Sequence, residues 1–281
     1  MKFGANTFIW ADHFGRDQFP LLETIKRAGF DGIEIPLFAP DRMHDREIRR
    51  TIEQHGLECT VCSVIPAGLH IASEDSGIRR RTVEHFRACI ETTAEMGSKV
   101  IAGPLYAPVG YFSGGRRTVD EWKRAVECYQ QLGPSLEKFG VTLAIEPLNR
   151  YETYFLNTAA DAVQLCREIG HPKIGILFDT YHANIEEKNV ATAIHEAGSH
   201  LRHFHSCEND RGVPGSGHID WAGVFRALRQ AQYDGWLTIE SFGFSLGALS
   251  AAASIWRDLA PSAEDIAVEG VRFLKGMADA S

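Results

Sequence analysis

Two acids frame one stretch of the chain, Val141-Thr-Leu-Ala-Ile-Glu-Pro-Leu-Asn-Arg-Tyr-Glu152. Val141 to Ile145 is a short apolar and β-branched run that ends in a carboxylate, Glu146. Pro147 then stops the strand, because it has no backbone donor and a fixed φ. A second acid, Glu152, follows in a loop. A carboxylate at the end of a buried strand is costly unless something neutralises it.

The same construction recurs three times. Asp179 ends Ile174-Gly-Ile-Leu-Phe-Asp, His205 ends Leu201-Arg-His-Phe-His, and Glu240 ends Trp236-Leu-Thr-Ile-Glu. The spacing is roughly that of one strand-plus-helix unit. Alternation along each strand places Ala144, Leu177, His203 and Thr238 one layer deeper on the same face. Three carboxylates converging on one rim repel strongly. A divalent cation resolves the repulsion, and two Glu, one Asp and one His make an oxygen-rich site with one imidazole. That set suits Mn2+, Co2+ or Mg2+ better than a structural zinc. The competing reading pairs each acid with an Arg or Lys; four donors in register on consecutive strands favour the cation.

The elements that must carry these side chains are legible as a repeat. An amphipathic helix, a glycine near its end and a short apolar strand follow one another, with glycines at 29, 56, 97, 140, 170, 198 and 235. Glycine just past a helix end takes the left-handed conformation that closes it. With an opening strand from Lys2 to Phe8, the chain has eight strands. Helical patterns cover roughly 19–28, 45–55, 78–96, 119–139, 158–169, 190–197, 221–232 and 246–256. A last helix covers about 263–277. Strands alternating with helices imply a parallel sheet. Eight units without a linker predict a single-domain (β/α)8 barrel over residues 1–281, with its active site at the carboxyl ends of the strands. The rival is a doubly wound open sheet, but no GxGxxG follows the first strand.

Composition limits the function classes. The 281 residues carry 29 Lys and Arg against 37 Asp and Glu, a net charge of −8, which argues against a nucleic-acid partner. No apolar run reaches the ~18 residues of a membrane span. The amino terminus lacks a signal-peptide pattern, so the expectation is a cytoplasmic protein. The six cysteines are scattered, and Cys59 and Cys62 point to opposite faces of a strand. They read as reduced, buried side chains rather than a metal or redox pair.

The runs Ala144–Glu152 (AIEPLNRYE), Asp179–Glu187 (DTYHANIEE), His203–Gly217 (HFHSCENDRGVPGSG) and Thr238–Phe242 (TIESF) resemble the ketose 3-epimerases. These are the D-tagatose, D-allulose and L-ribulose 3-epimerase group of the xylose-isomerase-like barrels. The resemblance covers nearly the whole chain, including Ile255–Leu259 (IWRDL). It implies a metal held by Glu146, Asp179, His205 and Glu240, and substrate contacts from Glu152, His182 and Arg211. It also implies a homodimer or homotetramer.

The chemistry agrees with that likeness. Epimerising carbon 3 of a free ketose removes the proton beside a carbonyl and returns it on the other face. A Lewis-acidic cation stabilises the cis-enediolate. Two carboxylates on opposite faces exchange the roles of base and acid, and Glu146 and Glu240 are the expected pair. His182 and Arg211 are donors for the carbonyl end, and Glu152 an acceptor for a hydroxyl.

Other residues carry lesser expectations. His203 reads as an orienting histidine, and Glu34 as a hydrogen-bonding acid behind the site. Phe8, Trp10, Tyr106, Tyr111 and Phe112 are candidates for an apolar wall over the distal sugar carbons. The run Gly212–Gly217 reads as a tight turn rather than a phosphate cradle, leading to Asp220 as a helix N-cap. Glu186-Glu187-Lys188 reads as a solvated helix start. The loops Pro66–His70 and Gly103–Tyr111 depart from the better-known epimerases and are expected to flank the sugar's far end, which leaves the preferred ketose open.

Three other functions fit less well. An aldose–ketose isomerase would use the same scaffold. A nuclease acting at abasic sites would need more His and acid ligands and a basic surface. A non-catalytic sugar-binding barrel would not need an intact ligand set.

Overall fold

In a computed structural model, residues 1–40 and 45–280 are described. The strands are β1 (Lys2–Asn6), β2 (Gly32–Pro36), β3 (Glu58–Cys62), β4 (Val100–Gly103), β5 (Thr142–Ile145), β6 (Ile174–Asp179), β7 (Leu201–His205) and β8 (Trp236–Ile239). Each pairs in parallel with the next, and β8 pairs with β1, which closes a (β/α)8 barrel. The expected single-domain barrel is therefore the fold; residues 41–44 and 281 of the 1–281 span lie outside the described residues. No described helix is long and apolar enough to cross a membrane.

Barrel strands are buried on both faces, so they read as continuous apolar runs. Every residue of β6 is buried. The outward faces join the helices in one large core. Inside the barrel, Ala102, Ala144 and Leu177 form a separate apolar cluster. His203 and Thr238 are fully buried, as the alternation of β7 and β8 requires. Small apolar side chains thus fill one sector of the interior, and polar ones the other.

The helices are α1 (Leu21–Ala28), α2 (Asp45–Gln54), α3 (Ser76–Glu95), α4 (Val119–Gln130), α5 (Gly133–Phe139), α6 (Ala159–Ile169), α7 (Thr180–Glu186), α8 (Val190–Ala197), α9 (Trp221–Gln230), α10 (Ala248–Ala252) and α11 (Ala263–Asp279). Side chains of Asp75, Thr118, Thr158, Asn189, Asp220 and Ser262 accept backbone N–H groups in the first turns of α3, α4, α6, α8, α9 and α11. The glycines expected to close helices have positive φ, except Gly235.

Four expectations need correction. The helix read over 119–139 is two helices, because Gly133 and Pro134 start a new one, with proline in its favoured first turn. The helix read over 246–256 shrinks to five residues, and Ser250 bonds the turn before it through Gly243 and Leu246. Helix α7, directly after β6, was not anticipated. Consequently Glu186 ends a helix rather than starting one, and neither acid is merely solvated. Glu186 pairs with Arg150, and Glu187 accepts from the backbone amide of Ala159 at the start of α6. The first strand ends at Asn6, whose side chain accepts from Phe8 and turns the chain.

Candidate metal centre and active site

Strands β5 to β8 deliver Glu146, Asp179, His205 and Glu240 to one point at the carboxyl end of the barrel. Asp179 and His205 are register partners on neighbouring strands. One ligand atom from each of the four lies within 4.8 Å of every other, and all four side chains are buried. His205 Nδ1 stands 3.4 Å from Glu240 Oε2, 3.8 Å from Asp179 Oδ2 and 3.9 Å from Glu146 Oε1. Among the described residues, neither Glu146 Oε1 nor His205 Nδ1 has a hydrogen-bond partner. Buried polar atoms rarely go unsatisfied. Two such atoms aimed at one point, with two further carboxylates beside them, fit a divalent cation with oxygen and imidazole ligands.

Part of the competing ion-pair reading also holds. Arg211 Nη1 donates to Asp179 Oδ2 at 2.9 Å and to Glu240 Oε2. One guanidinium cannot balance three carboxylates, and it does not reach Glu146. Burial and the neighbouring Glu240 push the Glu146 carboxyl well above its ordinary pKa. Burial opposes ionisation of Glu240 too, but His205 and Arg211 hold it below its ordinary value. Burial likewise opposes the Asp179 carboxylate, and Arg211 keeps it far below the usual range. Burial disfavours the His205 imidazolium, yet Glu240 and Glu34 raise its pKa well above 6.5. These opposed shifts are common where environment assigns acid and base roles.

Arg211 is held with some strain. Its φ is +67°, in the left-handed region. Its carbonyl accepts from Ser241 Oγ, and its guanidinium lies over the Tyr181 ring, 4.2 Å from the centroid. The loop carrying it is organised by Glu208, a fully buried acid that the sequence reading missed. Glu208 accepts backbone N–H groups from Asn209, Gly215 and Ile219, and the indole N–H of Trp221. Those amides are therefore taken, and the glycine-rich run is a turn, as expected. Asp220 caps α9, also as expected.

His182 projects from the first turn of α7. Its Nδ1 accepts the backbone N–H of Asn149 at 3.1 Å, and the Asn149 amide nitrogen lies 3.0 Å away. A backbone amide cannot change roles, so the ring hydrogen sits on Nε2. Burial lowers the His182 pKa and keeps the ring neutral. Arg211 Nη2 lies 3.1 Å from that Nε2. Two donors face each other there, an arrangement that an oxygen placed between them would relieve. Asn149 also donates to Glu152 Oε1 at 2.8 Å. Nothing in the sequence distinguished Asn149 from an ordinary loop residue.

Below the ligands lies a polar layer. Glu34, from β2, is fully buried and bonded to Asn6, Thr60, His203 and His205. Both Glu34 and His203 hold the supporting places expected of them.

The cavity above these groups is lined by Phe8, Phe38, Val64, Val109 and Phe242, with Glu152, His182 and Arg211 on its polar side. Of the aromatic wall expected, Phe8 is present. Tyr106 is fully buried beneath the site, its hydroxyl donating to the Glu146 carbonyl. Trp10, Tyr111 and Phe112 do not line this cavity, and Tyr111 meets His70 edge-on outside it. Gly103, Pro104 and Val109 flank the cavity, but Gly68, Leu69 and His70 face a different one. Cys62 lines the cavity while Cys59 donates to the Met96 carbonyl; all six cysteines are unpaired and buried.

Residues 22–277 match the family model described as Xylose isomerase-like TIM barrel. The chain is 38% identical over 275 residues to a probable ketose 3-epimerase of Synechocystis sp., covering 98% of this chain and 96% of that protein. It is 32% identical over 276 residues to a D-psicose 3-epimerase of Enterocloster bolteae, covering 96% and 91%. A solved structure of an L-ribulose 3-epimerase superposes with a TM-score of 0.94 at 30% identity, covering 99% of this chain and 95% of that one.

Proposed function

The chain belongs to the xylose isomerase-like TIM barrel family, and from that premise we propose that it is an isomerase that epimerises free ketoses at carbon 3. The observation that carries this reading is the convergence of Glu146, Asp179, His205 and Glu240, with Glu146 Oε1 and His205 Nδ1 lacking a hydrogen-bond partner among the described residues. Relatives named as epimerases of D-psicose and L-ribulose support the substrate class.

A divalent cation held by these four residues, Mn2+ in preference to Co2+ or Mg2+, would supply Lewis acidity to the ketose carbonyl and its neighbouring hydroxyl. The remaining work falls to side chains. Glu146 and Glu240 approach carbon 3 from the two sides, one taking its proton and the other returning one on the opposite face. His182 Nε2–H and Arg211 Nη2–H, both donors on one spot, hold the oxygen where negative charge develops. Glu152, steadied by Asn149, accepts a hydroxyl. Phe8, Phe38, Val109 and Phe242 exclude water around the sugar's carbon skeleton. A homodimer or homotetramer is the proposed assembly. Exposed Tyr111 and Phe112 after β4 are apolar surface that a second copy would cover.

The test is incubation of purified enzyme with Mn2+ and a panel of ketohexoses and ketopentoses in heavy water. A carbon-3 epimer with deuterium at carbon 3 is the expected product. An aldose product, or no exchange with any ketose or metal, would overturn the reading.

A further inference from the structure

The Glu34 carboxylate is saturated. Oε1 accepts from Asn6 Nδ2 at 2.9 Å and lies 2.8 Å from His205 Nε2. Oε2 accepts from Thr60 Oγ1 at 2.9 Å and lies 2.6 Å from His203 Nε2. The four partners come from β1, β3 and, across the barrel, twice from β7. Two bonds to each oxygen fill the usual acceptor capacity of an ionised carboxylate and leave no place for a proton of its own. Both histidines must therefore carry hydrogen on Nε2.

For His205 this has a consequence at the other ring nitrogen. Nε2 is spent on Glu34, so Nδ1 alone can serve a cation. Nδ1 is also the atom without a partner, 3.4 Å from Glu240 Oε2. We propose that Glu34 is the positioning residue of the metal centre: its carboxylate fixes the tautomer and ring plane of His205 and so presents Nδ1 to the cation. His203, which ends on the same carboxylate from one layer deeper, holds the other oxygen and keeps Glu34 from rotating. This rests on the metal-centre reading above but not on the identity of the sugar reaction.

Glu34→Gln separates orientation from mere filling of space. An amide keeps the shape, but its NH2 faces Asn6 Nδ2 and His205 Nε2 on one side, or His203 Nε2 and the Thr60 hydroxyl on the other, so neither placement keeps all four donors on an acceptor oxygen. His205 can then move its hydrogen to Nδ1 and lose its lone pair there. Mn2+ affinity, measured by equilibrium dialysis on metal-stripped protein, is expected to fall at least about 10-fold, as for other residues that orient metal ligands. Thr60→Val removes a donor from Oε2 without touching His205, and its affinity is expected to stay near that of the unmodified protein. Equal affinity in folded Glu34→Gln, or equal losses in both variants, would overturn the proposal. If Glu34→Gln does not fold, nitrogen-15 NMR of the Zn2+-loaded native protein decides. Hydrogen on His205 Nε2 supports the assignment, and hydrogen on Nδ1 refutes it. An inactive enzyme that still shows the affinity difference would sink the epimerase reading and leave this one standing.

Discussion

Glu146 and Glu240 end strands three places apart around the barrel, yet each brings a carboxylate oxygen within 4.8 Å of the other. They differ in environment. Glu240 is bonded to Arg211, while Glu146 Oε1 has no donor among the described residues. The proposed proton-transfer pair is thus asymmetric, with one acid neutralised by the protein and one that would be left to the cation and substrate.

Glu146→Gln and Glu240→Gln keep size and hydrogen-bonding capacity but remove the transferable proton. Each is expected to lower kcat by at least about 100-fold, as for loss of a general acid or base. Steady-state epimerisation by metal-loaded variants measures it. Near-native turnover in either one removes that residue from the mechanism.

Removal of the cation is expected to abolish turnover reversibly and to lower thermal stability. A ligand at a hundredfold excess over its Kd stabilises the folded state by about 2.7 kcal/mol. Restoring Mn2+ to chelator-treated protein should therefore raise Tm by several degrees in differential scanning calorimetry. A Tm indifferent to Mn2+, Co2+ and Mg2+ would contradict a cation at the four ligands.

Asn149→Ala tests the side-chain support of His182 and Glu152 separately from metal binding. The backbone bond to Nδ1 survives, but the side chain that steadies both His182 and Glu152 is lost. The expected result is a fall in kcat/KM of roughly 10-fold, below the ~10²–10³ cost of losing a donor outright, with Mn2+ affinity unchanged. A matching loss of metal affinity would mean that Asn149 acts through the ligands instead.

The four converging strand ends were legible because they are a local signal: an apolar run of four or five residues with an acid or His at its end. The barrel was legible from its repetition. Glu34 was visible as an acid, but its four donors come from strands far apart in sequence, and only closure brings them together. Glu208 was hidden for the same reason, since the loop it organises has no period. The break between α4 and α5 was written in Gly133-Pro134, but the apolar spacing runs through it and suggested one helix. Tyr106 and Tyr111 look alike in sequence, and only the path of the loop after β4 buries one and exposes the other.

The Arg150–Glu186 pair gives a pH dependence. Burial opposes ionisation of Glu186, but bonds from the Arg150 side chain and backbone lower its pKa. A depressed carboxylate adds stability above its unfolded pKa, about 4.3, and loses it as pH falls through the lower folded value. Arg150 is exposed, so solvent screens the pair and the contribution is small. The unfolding free energy lost in Arg150→Met should be measurable in urea at pH 7 and shrink below about pH 4. A loss that grows toward acid pH would contradict the pairing.

Gly103 joins the barrel wall to the site. Its φ is +137°, and a Cβ there would meet the Ser63 carbonyl oxygen at 2.1 Å. The opposing atom is backbone on the adjoining chain, so it cannot swing away as a side-chain tip would. Gly103 also accepts, through its carbonyl, the backbone N–H of Glu146 at 2.9 Å. Gly103→Ala must therefore either push β4 from the segment after β3 or turn the peptide that holds Glu146. Overpacking of this kind costs about 1–3 kcal/mol, and the backbone strain adds to it. Urea denaturation of the metal-free protein should register that loss, and Mn2+ affinity should fall with it because Glu146 shifts. A variant as stable as the native chain would show that the two segments have slack between them.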